Sequence, residues 1–417
     1  MRHRALIGLG SLLTAGLLMG AGTVSAAAAA GAPGSLDPTF GHDGTVIANI
    51  GGEPVATDAI LQSNGDIVVA DQDGLVRFLP NGSLDPTFGT DGVASTGFDD
   101  LGLGPSGVAI QPNGDIVWVG NTTKPDGVGE IITDFAVARF TSNGTLDSSF
   151  GTGGQVTTEF FADPLGGAME LADSVLVQPN GSILVGGVAR QGQNKAAPYL
   201  GALIRFTSSG APDATFGTGG QVLSASLGSN ISGLGLDGAG DIFVLPEHAE
   251  LSSAGQIDAS VTPAAITASS AGGAAAFLPS GQYVIGQTIG VGKHDDAVQV
   301  EYFSASGSLT AASPEFHYTG GTTGEDGAYV VAVQPNGQAV VGGSHFLDTS
   351  VFGLARVNTN GSLDTTFGTG GTLTTDIQGD EGVGGLIIQP NGDIVAAGTS
   401  EDNSTGQVDV ALARYIG

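Results

Sequence analysis

The chain of 417 residues carries 41 acidic and 11 basic side chains, a formal charge of −30, and contains no cysteine. Such a surface repels nucleic acid and anionic membranes, and without thiols there is neither a disulfide framework, nor thiol catalysis, nor lipid attachment through cysteine. Hydrophobic residues at 41% with only 12% charged suit a packed chain, and 72 glycines imply many tight turns.

Residues 1–26 read as a secretory signal. Arg2 and Arg4 precede an apolar run from Ala5 to Gly20, and Val24-Ser25-Ala26 forms a small-residue cleavage site. The run is short for a membrane span and is interrupted by glycine, and no later stretch is long and apolar enough to cross a bilayer. Losing the two arginines would take the charge from −30 to −32. Residues 27–33 are expected to be a flexible leader, and 34–417 a single domain.

That domain is built on a repeat. IQPNGDIVWVG from Ile110 recurs as LQSNGDIVVAD from Leu61, VQPNGSILVGG from Val177, VQPNGQAVVGG from Val333 and IQPNGDIVAAG from Ile388. Two eroded copies start at Leu236 and Phe277, which makes seven. In the best copy, Gly107 to Gln111 is a short apolar strand, the Pro112-Asn113-Gly114 turn follows, and Asp115 to Gly120 is a second, β-branched strand. Asp134 to Thr141 alternates apolar with polar residues, as a half-buried strand does, and Gln155 to Phe160 makes a fourth. Helical periodicity is absent from the rest of the chain.

Four antiparallel strands, seven times over, predict an all-β fold: a seven-bladed β-propeller of four-stranded blades. The ends support closure. The chain stops after a third strand, VDVALARYIG, and its mature start, GSLDPTFGHDGTVIANI, holds the missing remainder. The segment from Thr45 to Ile50 is therefore expected to be the outer strand of the last blade, leaving no free edge at the join. An open solenoid would give no reason for complementary half-repeats. The Gln221 to Asp326 region departs from the pattern, its connectors shrinking to QIDASVTPAA and SLTAASP.

Copies of ARFTSNGTLDSSFGTGGQVTT followed by VQPNG-IVVGG resemble the delta-60 repeats of bacterial exported proteins, and the inner strands resemble those of NHL-type propellers. The resemblance covers about residues 34–417. It implies a β-propeller and brings no established activity or catalytic residues.

Most repeated residues read as structural. Arg77, Arg139, Arg205, Arg356 and Arg414 occupy one position of the third strand, each matched by an aspartate of the connector: Asp85, Asp147, Asp213, Asp364 and, across the join, Asp37. An Arg–Asp pair inside each blade suits the planar guanidinium better than a basic ring around a ligand does. The fifth unit has Tyr302 and Thr310 at these places and the fourth has Glu250 and Asp258. Phe40, Phe88, Phe150, Phe216 and Phe367 read as packing wedges, and Trp118 as core. Asn81, Asn143, Asn180 and Asn360 stand in Asn-Gly-Ser/Thr strings whose place in the repeat makes them turns.

Function is expected on the loops that vary, those joining second to third strands and successive repeats. These carry Asp99, Asp100, Asp163, His294, Asp295, Asp296, Glu325, Asp326, Asp380, Glu381, Glu401 and Asp402. Asp295, Asp296, Glu325 and Asp326 are the candidate calcium ligands, although no loop has the ligand spacing of a dedicated calcium loop. No two of His42, His248, His294, His317 and His345 have zinc spacing, and nucleophile-elbow, phosphate-loop and dinucleotide motifs are absent. The expectation is a secreted, monomeric, non-catalytic scaffold binding an extracellular protein, glycan or cation through this acidic face. The competing reading is a calcium-assisted hydrolase or lyase at the mouth of the central channel.

Overall fold

The computed structural model describes residues 31–98, 107–125, 131–161, 168–192, 197–229, 231–237, 240–245, 249–259, 273–278, 280–292, 295–321, 324–346 and 349–417. The expected signal segment, and Asp99, Asp100, Asp163, His248 and His294, lie outside them. Among the described residues every helix or strand element is a strand apart from one 3-10 turn at Ala225–Leu227, and no helix is long and apolar enough to cross a membrane.

After β1 (Thr45–Ala48) the strands fall into antiparallel sets. The first holds β2 (Asp58–Leu61), β3 (Ile67–Asp71), β4 (Gly74–Phe78) and β5 (Val93–Ser95). The second holds β6 (Gly107–Ile110), β7 (Ile116–Pro125), β8 (Ile131–Phe140) and β9 (Gln155–Thr158). The third holds β10 (Met169–Val177), β11 (Ile183–Arg190), β12 (Leu200–Phe206) and β13 (Gln221–Ser224). The fourth shows β14 (Gly233–Leu236), β15 (Ile242–Leu245) and β16 (Ala249–Leu251). The fifth holds β17 (Gly273–Phe277), β18 (Tyr283–Gly292), β19 (Asp295–Phe303) and β20 (Leu309–Ala312). The sixth holds β21 (Glu325–Val333), β22 (Ala339–Phe346), β23 (Ser350–Val357) and β24 (Thr372–Thr375). The last holds β25 (Asp380–Ile388), β26 (Ile394–Asp402) and β27 (Gln407–Tyr415).

β1 lies against β27 in this last set, with Thr45 opposite Ala413 and Ala48 opposite Val410. Second and third strands run further than the apolar repeat suggests: β-branched Thr122, Thr123, Ile132 and Thr133 favour extended backbone, and β7 and β8 stay paired as far as Thr123 opposite Thr133 and beyond. At the end of the expected leader, the Pro33 carbonyl accepts the Gly368 N–H at 2.9 Å.

The core sits between sets. Each hydrophobic cluster draws on two consecutive ones, for example Val68, Leu75 and Phe88 of the first with Trp118 and Phe140 of the second. Another joins Ala59, Val69 and Phe78 of the first set to Val395, Val410 and Leu412 of the last. Trp118 is fully buried and its indole N–H donates to the Asp71 carbonyl of the preceding set at 3.1 Å. Two joints are also bridged by parallel strand contacts, Thr133 with Met169 and Asp296 with Glu325.

Candidate functional site

The two ends of each set use their polar residues differently. At the end bearing the Pro-Asn-Gly turns, the same staple recurs. Arg77 Nε donates to Asp85 Oδ2 at 2.9 Å, and its Nη1 donates to Gln62 Oε1 at 3.0 Å and to the Ser142 carbonyl of the next set at 2.7 Å. Its guanidinium lies 4.5 Å from the Phe88 ring centroid. Arg139 with Asp147, Arg205 with Asp213, Arg356 with Asp364 and Arg414 with Asp37 repeat the ion pair, each over its own phenylalanine. Arg414 reaches the Pro80 carbonyl of the first set at 2.7 Å, as Arg205 reaches Ser253 of the fourth at 2.5 Å.

The phenylalanine completes the staple sterically. A Cβ on Gly82 would lie 3.0 Å from the Phe40 ring, so only glycine, which also supplies φ +86, lets the next set's turn lie over the wedge. Each turn asparagine of the Asn-Gly-Ser/Thr strings accepts the N–H two residues on. In the fifth set Tyr302 substitutes for arginine, donating to the Val357 carbonyl at 2.8 Å and accepting the Ala339 N–H at 2.8 Å. In the fourth, Glu250 lies among Asp237, Asp241 and Asp258, and burial together with those charges raises its pKa.

The opposite end is where the sets differ. Glu170, Asp326 and Glu381 stand at one repeat position, eight residues before Gln178, Gln334 and Gln389, and all three are buried. Glu170 accepts the backbone N–H groups of Phe160 and Phe161 at 2.8–3.0 Å, and Glu381 accepts those of Ile377, at 2.6 Å, and Gln378. Each carboxylate thus anchors the connection entering its set. Burial pushes both up to about 7, against the pull of these N–H donors. Asp173, three residues on from Glu170, is pushed to about 8 by burial against one N–H from Ile231.

The sixth set changes the donors. Asp326 Oδ2 meets His317 Nδ1 at 2.5 Å and Asp326 Oδ1 meets His345 Nδ1 at 2.7 Å. All three residues are buried, and His345 Nε2 has no hydrogen-bond partner among the described residues. His317 Nε2 lies 3.8 Å from Asp295 Oδ1. An ionised carboxylate can only accept, so in that state Asp326 takes an Nδ1–H from each ring and the two Nε2 atoms point away from it. Burial raises the Asp326 pKa, while the imidazoles oppose the rise.

Among the described residues the acidic candidates are not all exposed. Asp326 and Glu381 were expected on loops and are strand residues turned inward. Asp295 accepts the Gly324 N–H at 3.2 Å, Asp296 and Glu325 are partly buried and bridge β19 to β21, and Asp380 accepts the Ser350 N–H at 2.9 Å. Asp402 caps its own turn through Ser404, which lowers its pKa to about 2, and Glu401 stays exposed. Of the four expected calcium ligands, Asp326 is committed to histidines, and among the described residues no group of three or more acidic or histidine side chains is arranged to hold a metal.

This end also holds Arg190, the last residue of β11, whose guanidinium lies 4.5 Å from the Tyr199 ring centroid. The signals for it and for the histidine cluster were absent from the sequence: Arg190 belongs to no motif, and His317, Asp326 and His345 come from three separate segments.

Four stretches, 62–88, 111–150, 178–216 and 334–367, match the model of a family described as a domain of unknown function (DUF5122) beta-propeller. Each begins at a staple glutamine and ends at a wedge phenylalanine. The fold is a β-propeller.

Similar solved structures include a protein of unknown function from Dyadobacter fermentans, at 11% identity over 89% of this chain and 97% of that one, with a TM-score of 0.46. The extracellular domain of a protein described as a one component system from B. thetaiotaomicron is 13% identical over 90% of this chain and 40% of the other, with a TM-score of 0.43. A gluconolactonase from Xanthomonas campestris is 12% identical over 89% and 97% of the two chains, with a TM-score of 0.37. No curated protein matches the sequence.

Proposed function

We propose that the protein is a secreted, non-catalytic propeller of the delta-60 kind, seven blades closed into a ring by β1, whose variable end binds an extracellular protein, glycan or cation. The division of polar residues between the ends carries the reading. Residues fixed by the repeat are consumed in staples between neighbouring sets, while set-specific residues such as Arg190, His317 and His345 gather where the scaffold does not dictate them. Closure is supported by the joint between last and first sets, which uses the internal devices: Arg414 to Pro80, and the Ala56 N–H to Thr399 Oγ1 at 3.0 Å, as Ala328 bonds Thr288 in the fifth-to-sixth joint.

The test is binding to an array of extracellular glycans and envelope proteins, with and without calcium, comparing Asp295→Asn and Glu401→Gln at the variable end with Asn113→Ala at the other. Loss only in the first two supports the reading. Loss only in Asn113→Ala, or an array blank under all conditions, overturns it.

The His317–Asp326–His345 cluster favours a second reading, a hydrolase or lyase at the same end, calcium-assisted or not. An imidazole oriented by a carboxylate through Nδ1 offers Nε2 as a general base. Turnover of a glycoside or uronide panel that Asp326→Asn abolishes, with the fold intact, would replace the scaffold reading with this one.

A further inference from the structure

We propose that Arg190 is the anchor of an anion site that takes the carboxylate of a small, singly charged ligand. The proposal rests on the reading that the variable end is a binding end, and names the chemistry it recognises there.

Every other described arginine is neutralised by an aspartate in its staple. Arg190 is only 8% exposed, yet among the described residues no carboxylate lies within ion-pair distance of it. Among the described residues its Nε reaches no acceptor, and its Nη2 reaches Met169 Sδ at 3.5 Å, a weak one. Removing a guanidinium from water without an anion is costly. In a chain this acidic, an uncompensated buried cation is out of keeping with the rest of the molecule.

The surroundings hold the group in place rather than neutralise it. Tyr199 lies under one face of the guanidinium and donates its hydroxyl to Met169 Sδ at 3.0 Å, and Met169 is the register partner of Arg190 across β10 and β11. Cation, ring and thioether thus brace one another and leave the buried Nε, on one edge of the guanidinium fork, without an acceptor. That fork matches a planar carboxylate. The scaffold does not require it: the same register position is Phe346 in β22 and Glu401 in β26. The strongly negative molecule repels polyanions, which restricts the ligand to an isolated carboxylate, as on an acidic monosaccharide or an acylated amino acid.

The experiment titrates acetate, galacturonate and N-acetylglycine into the full mature chain, reading heat and the Arg190 Nε–H resonance, with Arg190→Gln and Arg190→Lys alongside. The wild type should bind at least one probe, with the Nε–H resonance moving on saturation, and Arg190→Gln should weaken it about tenfold or more. Lysine should recover part of the affinity, keeping the charge without the fork. Galacturonate or N-acetylglycine binding more tightly than acetate identifies the source. Equal binding by wild type and Arg190→Gln, or a resonance that no carboxylate moves, overturns the site. Should Arg190→Gln fail to fold, the wild-type resonance alone decides. A blank array with a moving Nε–H resonance would sink the wider binding reading and leave this site standing; array binding that survives Arg190→Gln would do the reverse.

Discussion

Replacing Arg77 by alanine tests whether the repeated staples hold the sets together. The guanidinium and Asp85 are both nearly buried, at 9% and 5% side-chain exposure, and the substitution leaves the carboxylate without its cation. It also strips donors from Gln62 Oε1 and the Ser142 carbonyl and uncovers Phe88. Breaking a buried pair on one side costs about 3–5 kcal/mol. Thr87 still donates its N–H and hydroxyl to Asp85 Oδ1, which places the expectation at the lower end, about 3 kcal/mol. Urea unfolding followed by Trp118 fluorescence and by circular dichroism reads the loss. Arg77→Met with Asp85→Leu should recover most of it, because no charge is then stranded. Burial pushes the Asp85 carboxyl up, but Thr87 and Arg77 together hold it below its ordinary value. The pair's contribution is therefore present above the unfolded pKa and lost as pH falls through the folded one, so the penalty should persist at neutral pH and fade below about pH 4. A loss under about 1 kcal/mol at neutral pH, the size of an exposed ion pair, would refute the staple.

Glu170, Asp173 and Glu381 titrate in the other sense. Their folded values of about 7, 8 and 7 lie above the unfolded ones, so stability is full below the unfolded values and falls as pH rises toward 8. Glu170→Gln should flatten the melting temperature between pH 5 and 8, removing on the order of 3 kcal/mol of pH dependence, and an unchanged slope would count against the buried acid. Gly82→Ala combines a positive φ with a clash against Phe40 and should cost about 2–4 kcal/mol, whereas Gly392→Ala, with open space around it, should cost about 1 in chemical denaturation. Equal losses would refute the wedge. Nitrogen-15 spectra should show His317 and His345 both protonated on Nδ1 at neutral pH; an Nε2–H tautomer on either would contradict the shared carboxylate.

The repeat was legible because its residues act at one fixed spacing. Arginine, aspartate and phenylalanine recur together because five of the joints use the same ion pair over a ring, and the pairing of Arg414 with Asp37 could be read from the two half-repeats. The variable end was legible only as the place where residues differ. The inward turn of Asp326 and Glu381 was hidden by local geometry. Bulges at Asp173, Tyr329 and Gly384 insert one residue into the first strand, so side chains before the bulge face opposite to what unbroken alternation predicts. Aligning the repeats on their glutamines would have found the shared acidic position. Nothing in the order of residues would have found its partners, because His317 precedes the strand and His345 belongs to the next one.

The pairing of β1 with β27 sets a timetable for folding. The chain is made from its N-terminus, and the segment around Thr45 has no strand to lie against until Ala413 has been delivered. Intermediate sets can assemble on one another as they emerge, but the final joint waits for almost the whole chain and carries the largest loop-closure cost. Until then β1 is an unpaired edge available to other molecules. Circular permutation that joins the present ends and opens the chain at a turn such as Asn113-Gly114 would turn this latest contact into a local hairpin. It should speed folding while leaving the finished architecture unchanged.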